Sequence, residues 1–240
     1  MTILNGRQAG NISANIADIH GRMAAAAHRA RRSADEITLM AVTKTQPPEK
    51  ILAAYEAGIR SFGENRVQEF QTKRDAVKHL NDVSFALIGS LQSNKVNKAV
   101  EIFSVIHSVD SLRLAERINS AIEREGKPAM PVAIEINTGD PAKAGLAPES
   151  PELEQLLAAE RLPHIRIQGL MTIPPFTDDP EGARPYFRHL RELRDRIAAR
   201  KLPSVGMELL SMGMSHDFEV AIEEGSTCVR IGTAIFGERG

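Results

Sequence analysis

Eight short apolar segments alternate with amphipathic helical patterns along this chain of 240 residues. Several segments are apolar nearly throughout, which is typical of parallel strands that are covered on both faces. Eight such strands, each followed by a helix, predict an α/β fold, and a (β/α)₈ TIM barrel is more economical than an open doubly wound sheet. No glycine-rich nucleotide motif follows any of the segments. The predicted strands are 38–43, 59–62, 84–88, 104–107, 131–136, 165–170, 206–210 and 227–231.

An extra helix is predicted ahead of the first strand. Ile12, Ile16, Ile19 and Met23 recur at helical spacing, so residues 1–34 are interpreted as a helix that packs on the barrel rather than as an Arg-rich transit peptide. No linker divides the chain, and we expect residues 1–240 to form one domain.

Two smaller features of the predicted helices can be tested by the structure. Asp110 is the expected N-cap of the helix after the fourth strand, and Gly58 and Gly225 stand where helices should end. A stripe of Tyr186, Leu190, Leu193 and Ile197 predicts the core face of a later helix.

Charge and cysteine content narrow the classes of partner. Lys and Arg together number 30 against 31 for Asp and Glu, so no net field would hold the protein on nucleic acid or on an anionic membrane. Cys228 is the single cysteine, which rules out a disulfide framework and a thiolate zinc site. No apolar stretch approaches the roughly 18 residues of a membrane span. We therefore expect a cytoplasmic protein with a small polar ligand.

Polar residues stand at the ends of the predicted strands, where barrels of this kind place their active sites. Lys44 follows the first strand, and partial desolvation near Arg230 would lower its pKa and favour Schiff-base chemistry. A lone lysine at a strand end is otherwise most often solvated. The rest of the strand ends therefore decides between these interpretations.

The last two strands predict an anion site. Gly232 and Thr233 follow the eighth strand and residues 211–215 follow the seventh, which is where such barrels commonly bind phosphate. The alternative is a pair of tight turns with Ser215 as a helix N-cap. A lysine and a phosphate site in one barrel mouth suit pyridoxal 5'-phosphate (PLP), although a cofactor-free Schiff-base lyase acting on a phosphorylated sugar would use the same groups.

Six motifs carry a family resemblance. With them the chain resembles the pyridoxal phosphate homeostasis proteins of the YggS/PROSC family, which are similar to the N-terminal barrel of alanine racemase standing alone. One departure is Ala86, where the family often has histidine. The motifs are AVTKTQP (41–47), FGENRVQEF (62–70), IGSLQSNK (88–95), IHSVDS (106–111), GLMTIPP (169–175) and LSMGMSHDFEVAIEEGSTCVRIGTAIFG (210–237).

The resemblance implies roles for six residues. It makes Lys44 the residue that forms the aldimine with PLP, and Arg230 the arginine that faces the pyridine nitrogen. It assigns Ser211, Gly232 and Thr233 to the phosphate and places Asn65 near the cofactor. Because a guanidinium does not give up its proton, the ring would be a poor electron sink.

The resemblance also implies a function. The protein would hold and deliver PLP without robust turnover, with other B6 vitamers and apo-enzymes as possible partners, and we expect a monomer. An amino-acid racemase is the enzymatic alternative, but it needs a second base. His107 stands at the end of the fourth strand and Lys143 in a loop after the fifth, and each is at least as well explained by a hydrogen-bonded or solvated side chain.

Overall fold

A computed structural model describes residues 6–139, 144–158 and 161–237. Its eight strands form a closed barrel in which each strand pairs in parallel with the next and the eighth pairs with the first. This confirms the predicted fold class, and the strand ends differ from the predicted ones by no more than two residues. The strands are β1 (Thr38–Val42), β2 (Ser61–Glu64), β3 (Ser84–Leu87), β4 (Val105–Val109), β5 (Met130–Glu135), β6 (Ile165–Met171), β7 (Val205–Ser211) and β8 (Cys228–Ile231).

Helices surround the barrel, as expected when parallel strands are joined by crossover connections. Within the described ranges, no helix is both long enough and apolar enough to cross a membrane. The helices are α1 (Gly6–Arg29), α2 (Pro48–Glu56), α3 (Val67–Val77), α4 (Val96–Ile102), α5 (Leu112–Glu125), α6 (Pro151–Leu157), α7 (Arg184–Ala199), α8 (Phe218–Glu223) and α9 (Thr233–Phe236).

The N-terminal helix α1 packs against α2, α8 and α9. Its predicted apolar stripe from Ile12 to Met23 is buried. The side-chain amide of Asn15 donates a hydrogen bond to the carbonyl of Ile235 in α9, over 2.9 Å. This contact fixes α1 beside the short helix that follows the predicted anion site.

Two predicted helix ends are confirmed, and one predicted helix start is wrong. Gly58 and Gly225 adopt φ angles of 100° and 98° just beyond α2 and α8, as predicted for glycines that end helices. The predicted N-cap Asp110 is wrong. Ser111 directly precedes α5 in an extended conformation, and its hydroxyl accepts the Leu114 N–H, because the capping side chain must stand one residue before the first helical residue.

The core face of α7 differs by one residue from the predicted stripe. Phe187, Leu190, Leu193 and Ile197 are buried, whereas Tyr186 is half-buried. The Tyr186 ring lies against Gly139, where an added Cβ would come within 2.5 Å of it. The stripe was misassigned because Tyr186 and Phe187 are adjacent aromatic residues. Neighbouring residues of a helix point about 100° apart, so only one of the two can lie on the buried face.

The interior of the barrel is apolar, and it becomes polar toward the mouth, where the strands end. Side chains alternate between the two faces of a strand, so each inward-facing apolar residue is followed two positions later by a residue nearer the mouth. Cys228 is thus followed by Arg230, Leu209 by Ser211 and Val105 by His107. The buried interior cluster consists of Met40, Val42, Ala86, Ile88, Val105 and Cys228.

Side-chain hydrogen bonds help to close the seam between β7 and β8. Ser211 and Cys228 are the register pair of these strands. The buried Ser226 hydroxyl lies within hydrogen-bond distance of the carbonyls of Leu210, Met212 and Cys228, at 2.8 to 3.2 Å. The Thr227 hydroxyl accepts the Leu210 N–H and donates to the Glu208 carbonyl. The residues just before β8 therefore hold this strand against β7.

Candidate functional site

Lys44 and the Gly232-Thr233 pair lie together at the mouth of the barrel. β1 pairs with β8 so that Ala41 stands opposite Ile231, and the residues that follow these two strands are therefore neighbours. Lys44 is half-buried. One cleft is lined by Val42, Lys44, Thr45, Gln46, Gly232, Thr233 and Gly237. The fold thus brings an amine from the start of the chain to the predicted anion site near its end.

The loops after β7 and β8 touch each other at the predicted anion site. The Ser215 hydroxyl accepts a hydrogen bond from the Ala234 N–H, which places Ser215 beside Gly232 and Thr233. The residue that precedes α8 is Asp217, so the alternative role of Ser215 as its N-cap is wrong. Gly213 has a φ of 94°, and a Cβ there would lie 2.6 Å from the Cβ of Ala221. A glycine is needed for this turn to pack on α8.

Arg230 is buried inside the barrel with two uncharged hydrogen-bond partners. Its Nη1 donates to the Ser211 hydroxyl over 2.8 Å and its Nη2 donates to the Thr172 carbonyl over 2.7 Å. Burial lowers the pKa of the guanidinium from its ordinary value, and the carboxylates of Asp217 and Glu135 oppose that shift. Arg230 remains a cation because a guanidinium does not lose its proton in proteins.

The Ser211 hydroxyl connects Arg230 to His107. Its oxygen lies 3.2 Å from His107 Nδ1. The two groups therefore share a hydrogen bond whose donor is set by the imidazole tautomer. Burial and the charge of Arg230 lower the pKa of His107 to about 3. His107 is therefore a neutral, hydrogen-bonded histidine, and its placement supports that interpretation over the one that makes it a base. Lys143 lies outside the described residues.

Glu135 is an ionisable residue of the site that sequence reasoning missed. It ends β5, is buried, and has a pKa raised to about 7 by burial and by Asp110, with Arg230 acting in the opposite direction. The signal was present in the sequence, since a glutamate interrupts the otherwise apolar run 132–136. A charged residue within a buried strand indicates a site or an ion pair.

Asn65 lines a neighbouring polar cleft rather than the cleft that Lys44 lines. It follows β2, and its Oδ1 is buried without a hydrogen-bond donor among the described residues. Its backbone packs so closely on Gly89 that an added Cβ would lie 2.3 Å from the Asn65 carbonyl oxygen. The neighbouring cleft is lined by Asn65, Arg66, Val67, Gln68, Glu69, Gly89, Ser90, Gln92 and Lys95.

Known proteins match this chain over nearly its whole length. A family model described as "Alanine racemase, N-terminal domain" matches residues 20–240. The pyridoxal phosphate homeostasis protein of Aquifex aeolicus is 46% identical over 220 residues, covering 91% of this chain and 94% of that relative. This chain belongs to the pyridoxal phosphate homeostasis protein family. The family's member from Escherichia coli K12 is 42% identical, covering 95% of this chain and 97% of that protein.

Solved structures agree with this assignment. PipY of Synechococcus elongatus, determined with PLP bound, is 36% identical with a TM-score of 0.81, and the match covers 94% of this chain and all of PipY. An alanine racemase from Clostridium difficile is 14% identical with a TM-score of 0.72, covering 96% of this chain but 57% of the racemase. This second likeness concerns the fold alone. The predicted family resemblance is confirmed.

Proposed function

We propose that this protein binds PLP and acts in PLP homeostasis, holding the cofactor and delivering it without robust turnover. The observation that carries the proposal is the shared cleft of Lys44, Gly232 and Thr233. When bound, PLP supplies an aldehyde that a lysine amine captures as a Schiff base and a phosphate that needs an anion site. Family membership and the PLP-bound PipY structure support the same proposal.

The residues of the site fit PLP in three respects. Lys44 would supply the amine, and Gly232 and Thr233 would contact the phosphate through the backbone and a hydroxyl. Arg230 would face the ring nitrogen, since the protein gives its guanidinium two uncharged partners and no carboxylate among its hydrogen bonds. Asn65 stands apart from these three groups, because it lines the neighbouring cleft, and we propose for it only the place near the cofactor that the resemblance implies.

The two serines of the loop after β7 take different roles in this proposal. The Ser211 hydroxyl is fully buried and engaged by Arg230 and His107, so we propose that it acts on PLP through Arg230. Ser215 lies beside the Gly-Thr pair through its bond to Ala234. We propose that Ser215 supplies the serine hydroxyl to the phosphate, the task that the resemblance assigned to Ser211.

The proposal that turnover is weak rests on the charge of Arg230 and on the placement of the residues that could act as a second base. Arg230 retains its proton, so it cannot protonate the pyridine nitrogen that would make the ring a strong electron sink. A racemase would also need a second base opposite Lys44. His107 is already hydrogen-bonded to Ser211, and in the described structure Tyr55 lies under Arg60 and Tyr186 against Gly139. These placements support a carrier over a racemase.

We further propose where and with what the protein works. Its ligands would include PLP and other B6 vitamers, and it would contact apo-enzymes only transiently during delivery. The near balance of acidic and basic residues disfavours nucleic acid as a partner. We propose a monomer in the cytoplasm, where the buried thiol of Cys228 has no need of a disulfide partner.

Absorbance spectroscopy tests the proposal. Purified protein mixed with PLP should turn yellow, and borohydride reduction followed by peptide mass spectrometry should place the adduct on Lys44. Lys44→Ala should lose the Schiff-base absorbance, whereas Lys78→Ala, at an exposed lysine of similar reach, should retain it. A colourless wild type that PLP cannot reconstitute contradicts the proposal and favours a cofactor-free lyase. Sustained deuterium uptake at the α-carbon of amino acids in heavy water contradicts the absence of turnover.

A further inference from the structure

A buried ionic cluster lies between the barrel and α3, directly behind the Lys44 segment. The ammonium of Lys73 donates to Glu64 Oε1 over 3.1 Å and to Glu69 Oε1 over 2.6 Å. Glu64 is fully buried and Lys73 is 6% exposed. Burying such a group is costly unless it is satisfied, so a cluster at this position calls for an explanation.

The cluster contacts both residues that flank Lys44. On one side, Lys73 donates to the Thr43 carbonyl over 2.9 Å, and the Thr43 hydroxyl donates to Glu64 over 2.7 Å. On the other side, Glu69 accepts a short hydrogen bond from the Thr45 N–H. Lys44 therefore lies between two backbone positions that α3 and the end of β2 hold, while its own side chain lines the ligand cleft.

Thr45 adopts a backbone conformation that a threonine seldom occupies. Its φ is 63°, in the left-handed region, where β-branched residues are rare because of steric strain. Burial raises the pKa of Glu69, but hydrogen bonds from Lys73 and Thr45 outweigh that effect and hold the pKa below its ordinary value. Glu69 is therefore a charged acceptor at neutral pH, which suits it to hold the strained Thr45 in place.

We propose that Glu69 is a positioning residue for Lys44: through Thr45 it fixes the strand end so that the lysine amine is directed into the cleft that Gly232 and Thr233 also line. Lys73 and Glu64 support Glu69 and hold Thr43. This inference rests on the proposed function of Lys44 in binding PLP. It differs from a merely stabilising role for the cluster, which would affect unfolding but not the orientation of the amine.

The first test compares PLP affinity between variants of α3. Glu69→Ala removes the acceptor of Thr45 but leaves the Lys73–Glu64 pair, and the Glu69 side chain is 25% exposed, so we expect the variant to fold. Its Kd for PLP, measured by Schiff-base absorbance, should rise about tenfold, which corresponds to about 1.4 kcal/mol. The matched control is Asp75→Asn, which breaks the exposed Asp75–Lys78 pair of the same helix and should leave the Kd unchanged.

The second test is a rescue that only a positioning role predicts. Asparagine tolerates the left-handed region far better than threonine does. Thr45→Asn in the Glu69→Ala background should therefore restore most of the affinity, although it replaces none of the lost hydrogen bonds. Thermal unfolding of all variants is measured alongside. Because relief of strain also raises the unfolding temperature, the two readouts are compared across all variants: affinity restored beyond what stability explains supports positioning, whereas affinity that only tracks the unfolding temperature overturns it.

The outcomes separate this inference from the proposed function. If wild-type protein forms no Schiff base with PLP, the proposed function fails and the positioning role fails with it. If wild-type protein and Glu69→Ala bind PLP equally well, the proposed function stands and the positioning role is wrong. A rise in Kd with rescue by Thr45→Asn supports both.

Discussion

At the scale of single residues, the polar interior of the barrel is arranged around one buried cation, Arg230. Arg230 is surrounded by the Ser211 hydroxyl, the Thr172 carbonyl and, at longer range, the carboxyl groups of Glu135 and Asp217. Burial, together with the same charge, keeps His107 neutral. The protonation states of these groups are therefore coupled through Arg230, and pH should affect the protein through this cluster.

Glu135 gives a prediction with a defined pH window. Its pKa is raised from 4.5 to about 7, so between these values the folded protein holds a proton that the unfolded chain has released. The contribution of Glu135 to stability is therefore full below about pH 4.5 and is lost as the pH rises through 7. We expect Glu135→Gln to be more stable than wild type at pH 8 by about 3 kcal/mol, measured by urea unfolding.

The pH dependence of stability also provides a control for the Glu135 prediction and an outcome that would contradict it. Well below pH 4.5 the advantage of Glu135→Gln should disappear, because the wild-type carboxyl group is then protonated in both states. Glu116→Gln, at an exposed position on α5, should change the unfolding free energy by less than about 0.5 kcal/mol at either pH. An advantage that is equal at both pH values would contradict the assigned pKa.

At the scale of the elements, Gly169 permits the close contact of β6 with β7. The register of these strands shifts between Ile167 and Gly169, and a Cβ on Gly169 would lie 1.8 Å from the Leu209 carbonyl oxygen. Neither backbone can move aside without breaking the barrel. We expect Gly169→Ala to lower the free energy of unfolding by more than about 3 kcal/mol, measured by denaturant titration.

Gly21 provides the matched control for this prediction. It lies on the exposed side of α1, and no atom would come within 4 Å of an added Cβ. Gly21→Ala should raise the stability by about 0.5 to 1 kcal/mol, because glycine is a poor residue for a helix interior. If the two substitutions have effects of the same sign, the steric explanation for Gly169 is wrong.

At the scale of the whole molecule, ion pairs join the last helices to the first. The carboxylate of Glu224, directly after α8, is 5% exposed and pairs with Arg184, Arg188 and Arg191 of α7. Glu223 pairs with Arg184 and with Arg29 of α1. This network spans three helices outside β7 and β8, beside the seam where the barrel closes.

Glu224→Gln tests this network. Burial raises the pKa of Glu224, but its arginine partners outweigh burial and hold the pKa below its ordinary value. The stabilisation is therefore present above the unfolded pKa and is lost as the pH falls. We expect the variant to lose about 2 kcal/mol at pH 7, measured by urea unfolding, and to approach wild type as the pH falls through the lowered pKa of Glu224.

An exposed ion pair of the same chemistry is the control. Glu154 pairs with Arg200 over 2.7 Å, but both side chains are at least 40% exposed. Glu154→Gln should cost less than about 1 kcal/mol, because solvent screens exposed pairs. If it costs as much as Glu224→Gln, the burial of Glu224 is not the source of its effect.

The sequence by itself determined the strand order and the residues that flank each strand end. The reason is that buried parallel strands have an apolar signature and that a closed barrel brings all strand ends to one mouth. That geometry is why Lys44 and Gly232 could be placed in one site although 188 positions separate them in the numbering of the chain. A local signal also predicted where α2 and α8 end, because Gly58 and Gly225 adopt the positive φ that stops a helix.

Only the tertiary structure decided how the polar groups pair. The bond from Arg230 to Ser211, the neutral state of His107 and the raised pKa of Glu135 depend on side chains from different strands meeting inside the barrel. The contacts of Glu69 and Lys73 with the residues around Lys44 likewise depend on how α3 packs. Hydrogen bonds and pKa shifts act over a few ångströms, and such distances between remote segments are fixed only once the chain has folded.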